Sequence, residues 1–238
     1  MRDVLPPQPF LRPFPAPEDV FVEPVERYLR HLHPLISIEL SAACPDLTGW
    51  IHLVSPIEPR DGYLGDRGEQ AWGPYLQPNW IGFRLTADHR FQLLGDFKFF
   101  ALEHEDSPEA CLGEQQTLRD YYEEQRASFQ AHKTQFDKTG QVCSITRYGY
   151  RPVAPLERLG GVAETANMIW QDVPNAAFTY KVFSSDRTFD HAPRTRDGRL
   201  FRFIASVPGW RYRKDGADQI LLYYDPVERV ALESFVFT

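Results

Sequence analysis

Apolar residues recur along this chain in two rhythms, and each change of rhythm marks a predicted element. Val25, Tyr28, Leu29 and Leu32 recur at i, i+3, i+4 and i+7, which predicts an amphipathic helix over about 24–33. Pro24 suits its first position, and Pro34 stops it near His33. Leu118, Tyr121, Tyr122, Gln125, Phe129, His132 and Phe136 keep the helical spacing over about 114–137, with Gly140 as a stop. Elsewhere, short stretches rich in aromatic and β-branched residues read as strands at 35–40, 50–55, 80–85, 90–102, 142–148, 178–183, 200–207, 219–224 and 230–237. Asp225-Pro226 breaks the last two into a hairpin, and Gly160-Gly161 is a turn inside an irregular stretch over 149–175. The fold class expected is α+β, sheet-dominated, with mostly antiparallel strands and two main helices.

The first 24 residues hold seven prolines, which favour an extended arm over a helix. Residues 1–17 are read as this arm, lying across its own domain with Phe10, Leu11 and Phe14 as plugs. Residues 18–238 then form one globular domain, with a sub-boundary near 140–158 as the alternative. Residues 56–79 read as a long loop with four prolines and four glycines. Its Tyr63, Trp72 and Tyr75 make it either a contact surface or a cover for a sheet face.

At 238 residues the chain can bury a sizeable core. Its net charge of −7 argues against general nucleic-acid binding. That charge is sorted by segment. Residues 101–124 sum to −7, with Glu103, Glu105, Asp106, Glu109, Glu114, Asp120, Glu123 and Glu124 opposed only by Arg119. Residues 187–214 sum to +6, eight cations against Asp190 and Asp197. Fields of one sign steer partners of the other. The widely spaced Cys44, Cys111 and Cys143 make neither a disulfide framework nor a zinc site. With no signal-peptide pattern and no apolar run of membrane-spanning length, a cytoplasmic protein without membrane contact is expected.

No phosphate loop, nucleophile elbow or zincin helix is present, so neither a cofactor nor a catalytic residue is nominated. His104, Glu105 and Asp106 are adjacent, and neighbours seldom converge on one metal, so no metal site is assigned. His31 and His33 fall at a predicted helix end and read as capping or surface groups. Arg194, Arg196 and Arg199 offer forks that match a carboxylate or phosphate, which makes them a candidate anion site.

Leu159-Gly160-Gly161, Trp170, the strand at 200–207 (LFRFIASV) and that at 218–225 (DQILLYYD) follow one another in an order that resembles the YwqG-like family of bacterial proteins. The resemblance covers roughly the last 80 residues. Val162-Ala163 stands where the family has proline, and Ser206 near its glutamine. The resemblance implies a β-rich fold and no agreed chemistry, and members of such families often act as immunity proteins beside toxins. The leading expectation is therefore a protein-binding protein that neutralises a toxin enzyme with a basic cleft. Its expected contact residues are Glu105, Asp120, Tyr121, Tyr122, Glu123 and Glu124, with Trp72 and Tyr75 from the loop. The alternative is an enzyme or small-anion-binding protein that uses the arginine-rich segment.

Overall fold

The computed structural model describes residues 8–60, 62–104, 117–163, 178–179, 183–185, 188–190 and 193–237. The fold is α+β and sheet-rich, with antiparallel strand pairing throughout its sheets. Strand β1 (Leu11–Pro13) pairs with β2 (Leu32–Glu39), and β2 pairs with β3 (Trp50–Pro56), forming a three-stranded sheet. Short helical turns α1 (Pro17–Val20), α2 (Val25–Leu29) and α3 (Leu40–Ala43) lie beside these strands. A larger sheet follows from β4 (Leu76–Gln77), β5 (Trp80–Leu85) and β6 (Phe91–Leu93). Helix α4 (Leu118–Thr139) and the hairpin of β7 (Cys143–Thr146) and β8 (Gly149–Pro152) come next. Strand β9 (Arg158–Leu159) then precedes four short strands, β10 (Phe178–Thr179), β11 (Phe183–Ser185), β12 (Thr188–Asp190) and β13 (Arg194–Thr195). The order closes with β14 (Arg202–Val207), β15 (Gln219–Asp225) and β16 (Val230–Val236). The large sheet runs β4-β5-β16-β15-β14-β9, with β6 also on β5.

Alternation explains why this sheet is buried on both faces. On β15, Ile220, Leu222 and Tyr224 join the core shared with the small sheet's Ile36, Ile38, Ile51 and Leu53. Leu221 and Tyr223 point the other way, into a second cluster with Trp80, Phe203 and Leu232. The buried Phe14, with a positive φ of 52°, sits 5.4 Å from both Phe129 and Phe136 and 5.0 Å from Tyr212, ring centre to ring centre.

One polar group bridges the two sheets. A bulge between Pro34 and Ile36 disturbs the β2–β3 ladder opposite Val54. The Val54 N–H donates instead across the interior to the Glu233 carboxyl, at 3.1 Å to Oε1 and 3.3 Å to Oε2. Glu233 is fully buried, and burial holds its pKa well above the usual carboxyl range.

Several expectations need correction. The helix expected over 24–33 stops at Leu29, because Leu32 and His33 are already strand. His31 and His33 are buried, not exposed caps. The strand expected over 90–102 ends at Leu93, since Gly95-Asp96 breaks it and Asp96 accepts from the Lys98 N–H at 3.0 Å. Phe97–Phe99 and Ala101–His104 are 3-10 turns whose aromatic residues are still buried. Residues 149–152, expected to be irregular, pair with β7. Gly160 and Gly161 both take left-handed φ values, 64° and 79°, as a tight turn demands.

Candidate functional site

Helix α4 begins at a capping box. Thr117 Oγ1 accepts from the Asp120 N–H, and an Asp120 carboxylate oxygen accepts from the Thr117 N–H, each at 3.1 Å. Hydrogen bonding to the Asp120 carboxyl from the Thr117 side chain and the Thr117 backbone N–H holds it below its usual pKa. Asp120 is thus engaged in its own helix. Replacing Thr117 with alanine is expected to cost about 1 kcal/mol, read from the urea midpoint. An unchanged midpoint would show the cap to be dispensable.

The inner face of α4 carries Leu118, Tyr121, Tyr122 and Gln125, all buried. The Tyr121 hydroxyl donates to the Pro59 carbonyl at 3.1 Å, and the Tyr122 hydroxyl to Glu58 Oε2 at 2.9 Å. Neither ring is available as an exposed anchor, which corrects the expectation for both. Their place in the helical stripe, not their acidic neighbours, decides where they point. On the outer face, Glu123 is exposed. Glu124 Oε1 lies 2.8 Å from Lys214 Nζ. At that point the acidic and basic segments pair with each other. Glu105 lies outside the described residues.

The two loop residues differ in exposure. Trp72 is 36% exposed, and its indole N–H donates to the Gly65 carbonyl at 2.9 Å. Tyr75 is half-buried against the second core cluster, close over Gly82.

The arginine trio does not form an open anion cradle. Arg199 makes a two-point contact with buried Asp225, Nε to Oδ1 at 3.0 Å and Nη2 to Oδ2 at 2.8 Å, and its Nη1 reaches Asp197 at 2.9 Å. Arg194 Nη1 donates to the Gly198 carbonyl at 3.1 Å. Of the three, Arg196 is exposed and Arg194 half-exposed, while Arg199 is engaged by Asp225 and is corrected to a structural role.

The unusual chemistry lies beneath α4, in residues that periodicity could not single out. Arg213 is 1% exposed. Its Nη2 donates to the Pro56 carbonyl at 2.7 Å, while Nε and Nη1 have no hydrogen-bond partner among the described residues. Burial lowers its pKa to about 10, so it stays cationic at neutral pH. His33 stacks on Phe129 at 4.3 Å, and both its ring nitrogens lack partners there. Burial and the nearby Arg213 and Arg126 charges hold its pKa well below the ordinary histidine range. Glu58 Oε2 accepts from the Ala101 N–H at 2.7 Å as well as from Tyr122, and burial raises its carboxyl to about 7. Burial and three arginines lower His31 to about 3. Its 2.9 Å contact with Glu103 is therefore a neutral N–H donated to a carboxylate.

Arg213 lines a cavity of about 550 Å³ with Pro59, Arg60, Tyr121, Asp215 and Phe237. The sequence placed Arg213 in the basic run but gave no reason to separate it from its neighbours. No described residues gather into a group of metal-ligating side chains, and no described helix is long and apolar enough to cross a membrane. No family model, curated protein or solved structure matches the chain.

Proposed function

We propose that this is a protein-binding protein whose contact surface is the β7–β8 hairpin. The observation that carries the reading is the exposure of Ile145, Tyr148 and Tyr150, at 48%, 83% and 41%, on one short hairpin. Ile145 and Tyr150 are a cross-strand pair. Tyr150 meets His132 of α4 edge-on at 5.9 Å, ring centre to ring centre, but the outer sides of Ile145 and Tyr148 stay open to water, which costs solubility. The charge on the hairpin names the partner's chemistry. The Arg147 guanidinium lies 4.6 Å from the centre of the Tyr148 ring, and Arg151 is exposed. No described carboxylate pairs with either. A partner with an apolar patch edged by acidic groups suits this surface.

The contact lies away from α4, whose two tyrosines are buried on its inner face and whose Glu124 on the outer face is held by Lys214. Neutralisation of a toxin enzyme is one form such binding can take, and it then requires an acidic-edged apolar surface on that enzyme. The test compares the wild type with a Tyr148→Ser, Ile145→Ser double variant as bait in lysate of the native host. A stoichiometric partner should be held by the wild type, released as salt rises, and lost from the variant while its circular dichroism is unchanged. Equal capture by both proteins, or capture of nothing by either, would sink the hairpin assignment.

A further inference from the structure

We propose that the cavity beside Arg213 binds a small monocarboxylate with an apolar body, its carboxylate held by the Arg213 guanidinium. A buried cation normally has a carboxylate partner or a full set of acceptors, because desolvating it unpaired is costly. Among the described residues Arg213 has no hydrogen-bonded carboxylate, only the through-space charge of Asp215. The Pro56 carbonyl uses Nη2 and leaves Nε and Nη1 unused, which is most of the fork's five N–H donors. Bracing Pro56 needs one donor and no charge. An arginine kept cationic in this place is explained by an anion that comes and goes.

The cavity itself defines the ligand. Its volume of about 550 Å³ suits a small molecule. Pro59, Tyr121 and Phe237 supply apolar and aromatic walls for the body. The planar fork of arginine matches a carboxylate in size and geometry. Asp215, also on the wall, is exposed, with Oδ2 accepting from Gln125 Nε2 at 3.1 Å and lying 4.0 Å from Lys214 Nζ. With Arg213 and Arg60 on the wall against the one carboxylate of Asp215, the lining carries a single net positive charge, which favours a monoanion over a phosphate dianion.

The site is independent of the hairpin and is tested on the whole chain. Melting temperature and calorimetric titration would be followed with phenylacetate and hexanoate, and in parallel with phenylacetamide and inorganic phosphate. The carboxylates should stabilise the protein at millimolar concentration, and the neutral amide and phosphate should not. Arg213→Met should weaken carboxylate binding by about tenfold or more. Asp215→Asn keeps an acceptor for Gln125, removes the opposing charge, and should tighten binding. That second variant decides the matter if the first does not fold. Stabilisation by the amide as strong as by the acid, by phosphate alone, or by nothing would overturn the proposal. An affinity that Asp215→Asn leaves unchanged would overturn it too.

Discussion

Glu233→Ala is expected to destabilise the protein by about 3–5 kcal/mol, while Glu233→Gln is expected to stay within about 1 kcal/mol of the wild type. The alanine variant removes the acceptor of the buried Val54 N–H, and an orphaned donor alone costs about 1–3 kcal/mol. It also opens a void between two packed sheets, where the truncated side chain filled space. The glutamine variant keeps the volume and a carbonyl oxygen in the same place. It is expected to be close to neutral because burial favours the protonated form of the wild-type carboxyl. Total stability is typically about 5–15 kcal/mol, so the alanine variant should show a large fall in its urea midpoint. If glutamine costs as much as alanine, Glu233 is ionised in the folded protein and the account of its burial is mistaken.

The second expectation is a stability profile that is nearly level between about pH 5 and 7, because buried groups of two kinds oppose each other there. Burial lowers His31 to about 3 and His52 to about 4. Both stay neutral when folded and take up protons on unfolding. Their stabilising contribution is present above the unfolded histidine pKa of about 6.5 and is lost as pH falls towards the folded values, about 2 kcal/mol each by pH 5. His33 adds to that side. Glu58 does the reverse. Its folded pKa of about 7 lies above the unfolded carboxyl value, so its contribution is present in acid and is lost as pH rises to 7, roughly 2–3 kcal/mol in all. Glu233 adds to this side. Glu58→Gln should therefore tilt the profile, making the variant about 2 kcal/mol more stable at pH 7 than at pH 5 relative to the wild type. Chemical denaturation across that range reads it directly, and parallel profiles for the two proteins would show that Glu58 does not titrate there.

The apolar and aromatic run over 219–224 marks β15, and Asp225-Pro226 marks the turn to β16, where Asp225 accepts from the Val227 N–H at 3.2 Å. The stripe on α4 was equally plain, and it put Tyr121 and Tyr122 in the core. Acidic neighbours in sequence suggest a surface position for both, but helical periodicity outweighs them. Tertiary packing overrode local pattern at Leu32 and His33, where pairing with β3 outweighed helical spacing. The groups beneath α4 were not legible. Arg213, His33 and Glu58 come from distant segments, and their character comes from being enclosed together, which spacing along the chain does not encode. The segments that carried the YwqG-like resemblance became the adjacent strands β9, β14 and β15, while Trp170 and Glu105 lie outside the described residues.

Strand β16 sits in the middle of the large sheet, between β5 and β15. Its neighbour β5 is complete by Leu85, yet β16 starts only at Val230. At about 5–20 residues per second, a ribosome leaves that edge of β5 without its partner for roughly 7–30 s. Through that interval Ile81 and Phe83 stand on an open strand edge, the state most prone to pair with another nascent chain. A trailing chaperone during synthesis, or a slowed arrival of residues 230–236, should therefore govern the yield of native protein more than any single contact in the finished fold.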